Sequence, residues 1–249
     1  MRKILLYFSL KYNGDYTKIY NAIKEKEVVS QKDIDEVESK IKCKYVTMID
    51  NEYPSCLRKI GTPPFVLFYY GDISLLSKNN KIAIIGKREN SEYGKLMCEK
   101  IINELDKSTC IVSGLAIGID GIAHNLALKN NLSTIAILGN GIDYIYPYKN
   151  KYIYDNIKKN GLLISEYPFA TPPVKQNFLI RNRIIAALVS HIVVIEASFK
   201  SGTMNTVTYG LEFGKEICCV PYLATYNSGC NKLIQQGAKL IECAADIFE

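Results

Sequence analysis

The sequence predicts an α/β protein: a doubly wound, mostly parallel sheet with a small helical region at its N-terminus. Three observations predict it. Six short apolar runs recur at residues 82–85, 110–112, 134–138, 162–164, 192–195 and 217–220. Amphipathic stretches at helical spacing separate them, as in Ile119, Ile122, Ala123, Leu126 and Ala127. Small and polar residues cluster where the runs end. Parallel strands buried on both faces read as continuous apolar runs and need crossover helices, so the alternation implies helices on both faces of one sheet. This is an extended Rossmann-like architecture, in which ligands bind beyond the carboxyl ends of the strands.

Residues 1–44 read as short helices, because Ile19, Ala22 and Ile23, then Ile34, Val37 and Ile41, recur at helical spacing among Lys and Glu. At Tyr45 the text changes to strand and turn, with Tyr53-Pro54, Thr62-Pro63-Pro64, the apolar run 65–70 and Gly71-Asp72. The polar residues 78–81 read as a linker, and the regular core begins at about residue 81. Two units are therefore expected: a helical N-terminal region over 1–44 and a Rossmann-like domain over 45–249. Within the core, Gly86-Lys87-Arg88 closes the first run, Ser113-Gly114 the second, Gly139-Asn140-Gly141 the third and Ser165-Glu166 the fourth. Glu196-Ala197 ends the fifth, and Ser201-Gly202-Thr203 follows shortly after. Glycine lets backbone N–H groups approach an anion closely, and each following helix N-terminus adds a favourable dipole. One such glycine is only a tight turn. Several at successive strand ends predict a phosphate-binding crest several loops wide.

The 249 residues are 48% hydrophobic and 22% charged, which excludes a disordered or collagenous chain. The longest apolar run, residues 4–10, falls short of the ~20 residues that span a bilayer and precedes no small-residue cleavage site. No membrane segment is expected, and a cytoplasmic location is. The eight cysteines form no CxxC pair, and two histidines cannot complete a zinc site at the usual spacings, so free thiols and no metal are expected. The net charge of +6 permits a nucleic-acid partner without requiring one. More telling is that only five of the 31 basic residues are arginine. Arginine's planar fork binds phosphate bidentately and stacks on bases, which lysine cannot do. Three of the five, Arg88, Arg181 and Arg183, fall in segments singled out on other grounds.

Enzyme motifs are missing. There is no GxxxxGK[ST], and Gly139-Asn140-Gly141 lacks the third glycine of a dinucleotide fingerprint, so no nucleotide cofactor is expected. Asp120 and His124 stand one helical turn apart and can meet, but a satisfied structural pair is the commoner outcome. His191 abuts a strand, and Glu166 and Glu196 at strand ends serve equally well as acid–base groups or as partners for buried arginine. The segment 175–185, Lys-Gln-Asn-Phe-Leu-Ile-Arg-Asn-Arg-Ile-Ile, carries the sharpest signal. Desolvated guanidinium groups require anionic partners nearby, and Phe178 beside Lys175 joins an aromatic surface to a point charge. Stacking plus backbone charge is how single-stranded nucleic acid is gripped. A clamp on Glu166 or Glu196 explains Arg183 as well as a phosphate contact does. For Arg181 the phosphate contact is the better reading.

These motifs, in order, resemble the DNA-processing protein A (DprA/Smf) family over roughly residues 53–249. The resemblance rests on Tyr53-Pro54-x-x-Leu57, Pro63-Pro64 through Gly71, Gly86-x-Arg88, Ser91-x-Tyr93-Gly94 and Ser113-Gly114 through Asp120. It continues in Ala123-His124, Gly139-x-Gly141-x-Asp143, Tyr146-Pro147, Ser165-Glu166-Tyr167-Pro168, Phe178, Arg181-Asn182-Arg183, Ser201-Gly202-Thr203 and residues 229–238. It implies a non-catalytic, homodimeric mediator that binds and protects single-stranded DNA and loads RecA recombinase onto it in natural transformation and recombination. Carried over, the DNA site comprises Lys87, Arg88, Gly114, Lys175, Phe178, Arg181, Asn182, Arg183, Ser201, Gly202 and Thr203. The sequence departs from the family pattern at Ile117, Pro221-Tyr222 and residues 204–207, and it ends at Glu249 without the winged-helix domain that many members append. The rival is a nucleotide-binding enzyme or sensor resembling LOG-type phosphoribohydrolases. Those carry a catalytic Glu just after the glycine loop, whereas here Thr203 is followed by Met204-Asn205-Thr206.

Overall fold

The computed structural model describes residues 1–169 and 171–249. Three helices open the chain: α1 (Arg2–Lys11), α2 (Tyr16–Lys24) and α3 (Gln31–Lys40). Asp15 caps α2 by accepting the Lys18 amide, and the left-handed Asn13 and Gly14 turn the chain between α1 and α2. Strand β1 (Lys44–Thr47), the short α4 (Ser55–Arg58) and β2 (Val66–Gly71) follow. The regular alternation then runs β3 (Lys81–Gly86), α5 (Glu92–Glu104), β4 (Cys110–Ser113), α6 (Ile119–Lys129), β5 (Ser133–Leu138), α7 (Lys151–Asn160) and β6 (Leu162–Ser165). It ends with α8 (Lys175–Leu188), β7 (His191–Glu196), α9 (Gly202–Glu212), β8 (Glu216–Cys219), α10 (Gly229–Gln235) and the two-residue β9 (Lys239–Leu240).

Among the described residues one sheet is present, in the order β1-β2-β6-β5-β4-β3-β7-β8-β9. From β6 to β9 every pairing is parallel, and β2 joins both β6 and β1 antiparallel. The apolar runs alternate between two cores. Ala83 and Ile85, Ile135 and Ile137, and Ile192 and Val194 face α8 and α9. Ile82 and Ile84, Ile111, and Val193 and Ile195 face α5 and α6. The alternation expected from the sequence is therefore the observed one. Leu5, Leu6 and Phe8 of α1 and Ile19 and Ala22 of α2 pack with Phe65, Val66 and Phe68.

The chain winds one way from β3 through β4 and β5 to β6, then returns through α8 to β7 and winds the other way. The reversal falls between neighbours β3 and β7, and a crevice opens at such a point beyond the strand ends. The linker expected at 78–81 is replaced by a tight entry into β3. Lys81 is the first strand residue, is nine-tenths buried, and donates its ammonium to the Leu76 and Lys78 carbonyls, while burial lowers its pKa. All eight cysteines are free, and among the described residues no helix is long and apolar enough to cross a membrane.

Gly71 ends β2 at φ +96°, and a Cβ there would press into the Gly161 carbonyl at the antiparallel junction with β6. Gly71→Ala should lower the unfolding free energy by about 1–3 kcal/mol, through left-handed strain and that collision. The urea midpoint should fall at unchanged slope.

Candidate nucleic-acid interface

A cleft of about 730 Å³ opens at the β3/β7 reversal. Residues 85–89 leaving β3 form one wall, and Ser198, Ser201, Gly202, Thr203 and Thr206 at the entry to α9 form another. Residues of the first half of α8, with Ala116, Asp120, Tyr146 and Pro173, complete it. Thr203 Oγ1 donates to the Gly86 carbonyl at 3.1 Å and so ties the N-terminus of α9 to the end of β3. Lys87, Arg88, Lys175, Phe178, Arg181, Asn182, Ser201, Gly202 and Thr203 all line this space.

Their electrostatic states differ. Arg88 and Lys175 are exposed and make no hydrogen bond or ion pair among the described residues. Lys87 instead meets Glu196 Oε1 at 3.1 Å, while Glu196 Oε2 accepts from the Ser91 amide at 2.9 Å and hydroxyl at 3.0 Å. Glu196 thereby anchors the start of α5, where Ser91 also caps Gly94 N. Phe178 packs so close to the strand end that a Cβ on Gly139 would strike its ring. Tyr146 meets the same ring at 5.5 Å between centroids, tilted by 33°. Together they make an aromatic surface beside two free cations.

Arg181 is 4% exposed and donates to the carbonyls of Gly114 and Ile137, at the ends of β4 and β5, while its Nε donates to Asn182 Oδ1 at 3.2 Å. Among the described residues no carboxylate lies within ion-pair distance of it. Burial lowers its pKa to about 10, although the charge of Asp120 opposes that shift. The Asp120 carboxyl is itself raised by burial, with Arg181 opposing, and it accepts from Gly114 N at 3.1 Å. The floor of the cleft therefore holds a positive charge 5.9 Å from the Phe178 ring. Asn182 reaches α9, donating to the Gly202 carbonyl at 3.3 Å and to Asn205 Oδ1 at 3.2 Å.

Arg183 is placed elsewhere. It points to the end of β6, pairs bidentately with Glu166 at 2.7 and 2.5 Å, and donates through Nε to Thr62. At 3% exposure its donors are occupied by protein, the clamp on Glu166 that the sequence offered alongside a phosphate contact. Gly114 is likewise filled in, because a Cβ there would lie 2.6 Å from Arg181 Nη2. The strand-end glycines expected to form a phosphate crest differ in what they face. Gly114 and Gly139 make room for the protein's own side chains, whereas the space in front of Gly202 is empty to 4 Å. Beside it, Ser201 Oγ is buried with no hydrogen-bond partner among the described residues.

The Asp120–His124 pair does not form. His124 Nδ1 bonds the Thr134 hydroxyl at 2.7 Å, because Asp120 turns to the Gly114 amide at the helix start. Tyr146 was not among the residues assigned to the site from sequence. Its signal was its place in the motif that follows Gly139-x-Gly141, but nothing in that motif says that the ring returns to Phe178.

The fold and cleft define a Rossmann-like protein whose cleft combines two exposed cations, a helix N-terminus and a tilted aromatic pair. The chain belongs to the DNA recombination-mediator protein A family, whose model matches residues 44–249. It is 42% identical to DNA processing protein DprA of Bacillus subtilis, covering 82% of this chain and 70% of that one. It is 36% identical to protein Smf of Escherichia coli, covering 79% and 54%. Among solved structures it resembles DNA processing protein A from Streptococcus pneumoniae, with TM-score 0.81 and 33% identity over 99% of this chain and 92% of that one. It also resembles DNA processing protein A from Helicobacter pylori, described for its single-stranded DNA binding mode, with TM-score 0.74 and 34% identity over 80% and 92%.

Two predictions follow from the buried charges. Glu166→Gln leaves the Arg183 guanidinium buried without its counter-charge, which should lower stability by about 3–5 kcal/mol in denaturant titration. Burial holds the His124 imidazole neutral in the folded chain, its pKa pushed down from 6.5 to about 3. The unfolded chain then binds the extra proton below 6.5, so stability present at neutral pH is lost as pH falls. Going from pH 6.5 to about 5 should remove roughly 1–2 kcal/mol. His124→Gln should remove most of that loss.

Proposed function

We propose that the cleft binds single-stranded DNA and that the protein is a recombination mediator. In this reading it protects incoming strands and delivers them to RecA recombinase in the cytoplasm during natural transformation, acting as a homodimer. One observation carries the reading: Arg88 and Lys175, cations without a partner among the described residues, share a cleft with the Phe178–Tyr146 aromatic pair. Phosphates neutralise the first and bases stack on the second, and an unpaired strand offers both at once. Arg181 adds a buried positive field from below, and the open face of Gly202 lets backbone amides of α9 reach an oxygen of the strand. Arg183 contributes indirectly by fixing α8. The family membership and the Helicobacter relative described by its single-stranded DNA binding mode support the same reading. A nucleotide-cleaving reading needs a carboxylate in the first turn of α9, where this chain has Thr203, Met204 and Asn205.

Binding of single-stranded DNA should therefore weaken steeply with salt, each neutralised phosphate adding about 0.7 to the log–log slope. Arg88→Ala should remove roughly one such step and weaken all sequences alike. Arg88→Lys keeps the charge but loses the fork, so affinity should still fall. Phe178→Ala should cost about 1–3 kcal/mol per stacked base at an unchanged salt slope. Duplex DNA should bind more weakly than single strands. Equal binding of duplex and single strands, with Arg88→Lys matching the parent protein, would reduce the cleft to a generic basic surface.

A further inference from the structure

The loop that joins β7 to α9 carries a second aromatic group which the contacts above leave unused. Ser198 and Ser201 both line the cleft, and the residues between them, Phe199 and Lys200, are exposed. Phe199 keeps 51% of its surface open and, among the described residues, stacks on no ring and joins no part of the apolar core. Lys200 makes no hydrogen bond or ion pair there either. The loop between two lining residues thus carries an exposed aromatic ring and, next to it in the chain, an ammonium with no partner among the described residues.

Sheet order sets the distance between this loop and the first aromatic surface. Phe178 packs at Gly139, where β5 ends, whereas the 198–201 loop leaves the end of β7. Strands β5, β4, β3 and β7 are successive neighbours, so three spacings, about 14 Å in total, separate the two positions. Neighbouring bases of a stacked strand lie only about 3.4 Å apart. One base, or one stacked pair, cannot occupy both rings. Arg88 leaves β3, which lies between them, and can take a phosphate of the intervening backbone.

We propose that Phe199 is a second base-stacking platform and Lys200 its phosphate partner, so that one single strand is held at both ends of the cleft. The proposal rests on reading the cleft as a single-strand site. It separates two stacked bases by an unstacked stretch of backbone, a geometry that paired DNA cannot supply.

The chain contains no tryptophan, so Phe178→Trp and Phe199→Trp each introduce a single fluorescent reporter of stacking. Both full-chain variants are titrated with thymidine monophosphate and with an oligothymidylate of about 16 nucleotides, the upper site size of single-strand-binding modules. The oligonucleotide should quench both reporters, and the mononucleotide should not quench Trp emission at position 199. Phe199→Ala should weaken oligonucleotide binding roughly 5- to 150-fold, the equivalent of about 1–3 kcal/mol of stacking, without changing the salt slope. Phe199→Tyr should restore binding, and Lys200→Ala should lower the slope by about 0.7. Suppose instead that Phe178→Trp responds and Arg88→Ala weakens binding, while Phe199→Trp stays silent and Phe199→Ala binds like the parent. The second platform then fails and the cleft stands. If the parent protein binds no oligonucleotide at all, both readings fall together.

Discussion

Helix α8 is held by two buried guanidinium groups that leave it in different directions, and the site depends on this arrangement. At 3.6 residues per turn, Arg181, Asn182 and Arg183 project about 100° apart. Arg181 reaches the carbonyls at the ends of β4 and β5, Asn182 reaches α9, and Arg183 pairs with Glu166 at the end of β6 and with Thr62. Three consecutive side chains thus tie one helix to the ends of β4, β5 and β6 and to α9. A buried ion pair is weak evidence for net stability, but it is strong evidence for register, since losing either partner strands a charge. Sliding α8 by a single residue would misplace Lys175 and Phe178 together. The positions of Lys175 and of the Phe178 ring in the cleft are in this sense set by contacts elsewhere on the same helix.

The same chemistry explains the sparing use of arginine. Arg2 donates to the Tyr45 carbonyl, Arg58 to the carbonyls of Met48 and Asp50, Arg181 to two strand-end carbonyls and Arg183 to Thr62 and Glu166. Four of the five forks therefore join separate segments of backbone, and Arg88 alone among them has no partner among the described residues. Scarcity of arginine marks positions where a planar, multiply donating head is required. Whether the acceptor is backbone carbonyl or phosphate is a separate matter.

Much of the architecture was legible in the residues. The apolar runs and the helical spacing between them depend on local chemistry, because a strand buried on both faces must be apolar throughout and a crossover helix must be amphipathic. The ordered motifs from Tyr53 to Ala238 identified the family, and the strand-end clusters located the end of the sheet at which the cleft opens. Arg88, Lys175, Phe178 and Ser201 through Thr203 were named from sequence and do share one cleft.

Tertiary structure alone decided which of those residues remain available. Glycine at a strand end signals close approach, but the sequence does not say what approaches: Arg181 at Gly114, the Phe178 ring at Gly139, and open space at Gly202. Asp120 and His124 satisfy helical spacing yet bond elsewhere, because the Gly114 amide and the Thr134 hydroxyl are nearer in space than any pattern along the chain reveals. Arg181 and Arg183 differ by two positions and face opposite fates, since a rotation of about 200° around the helix separates the cleft floor from the Glu166 clamp. Sequence determined the chemical inventory and the class of fold, through local periodicity and residue type. Which charges are neutralised within the protein, and which are left facing the cleft, follows from contacts between segments far apart in the chain, and only the packed structure brings those together.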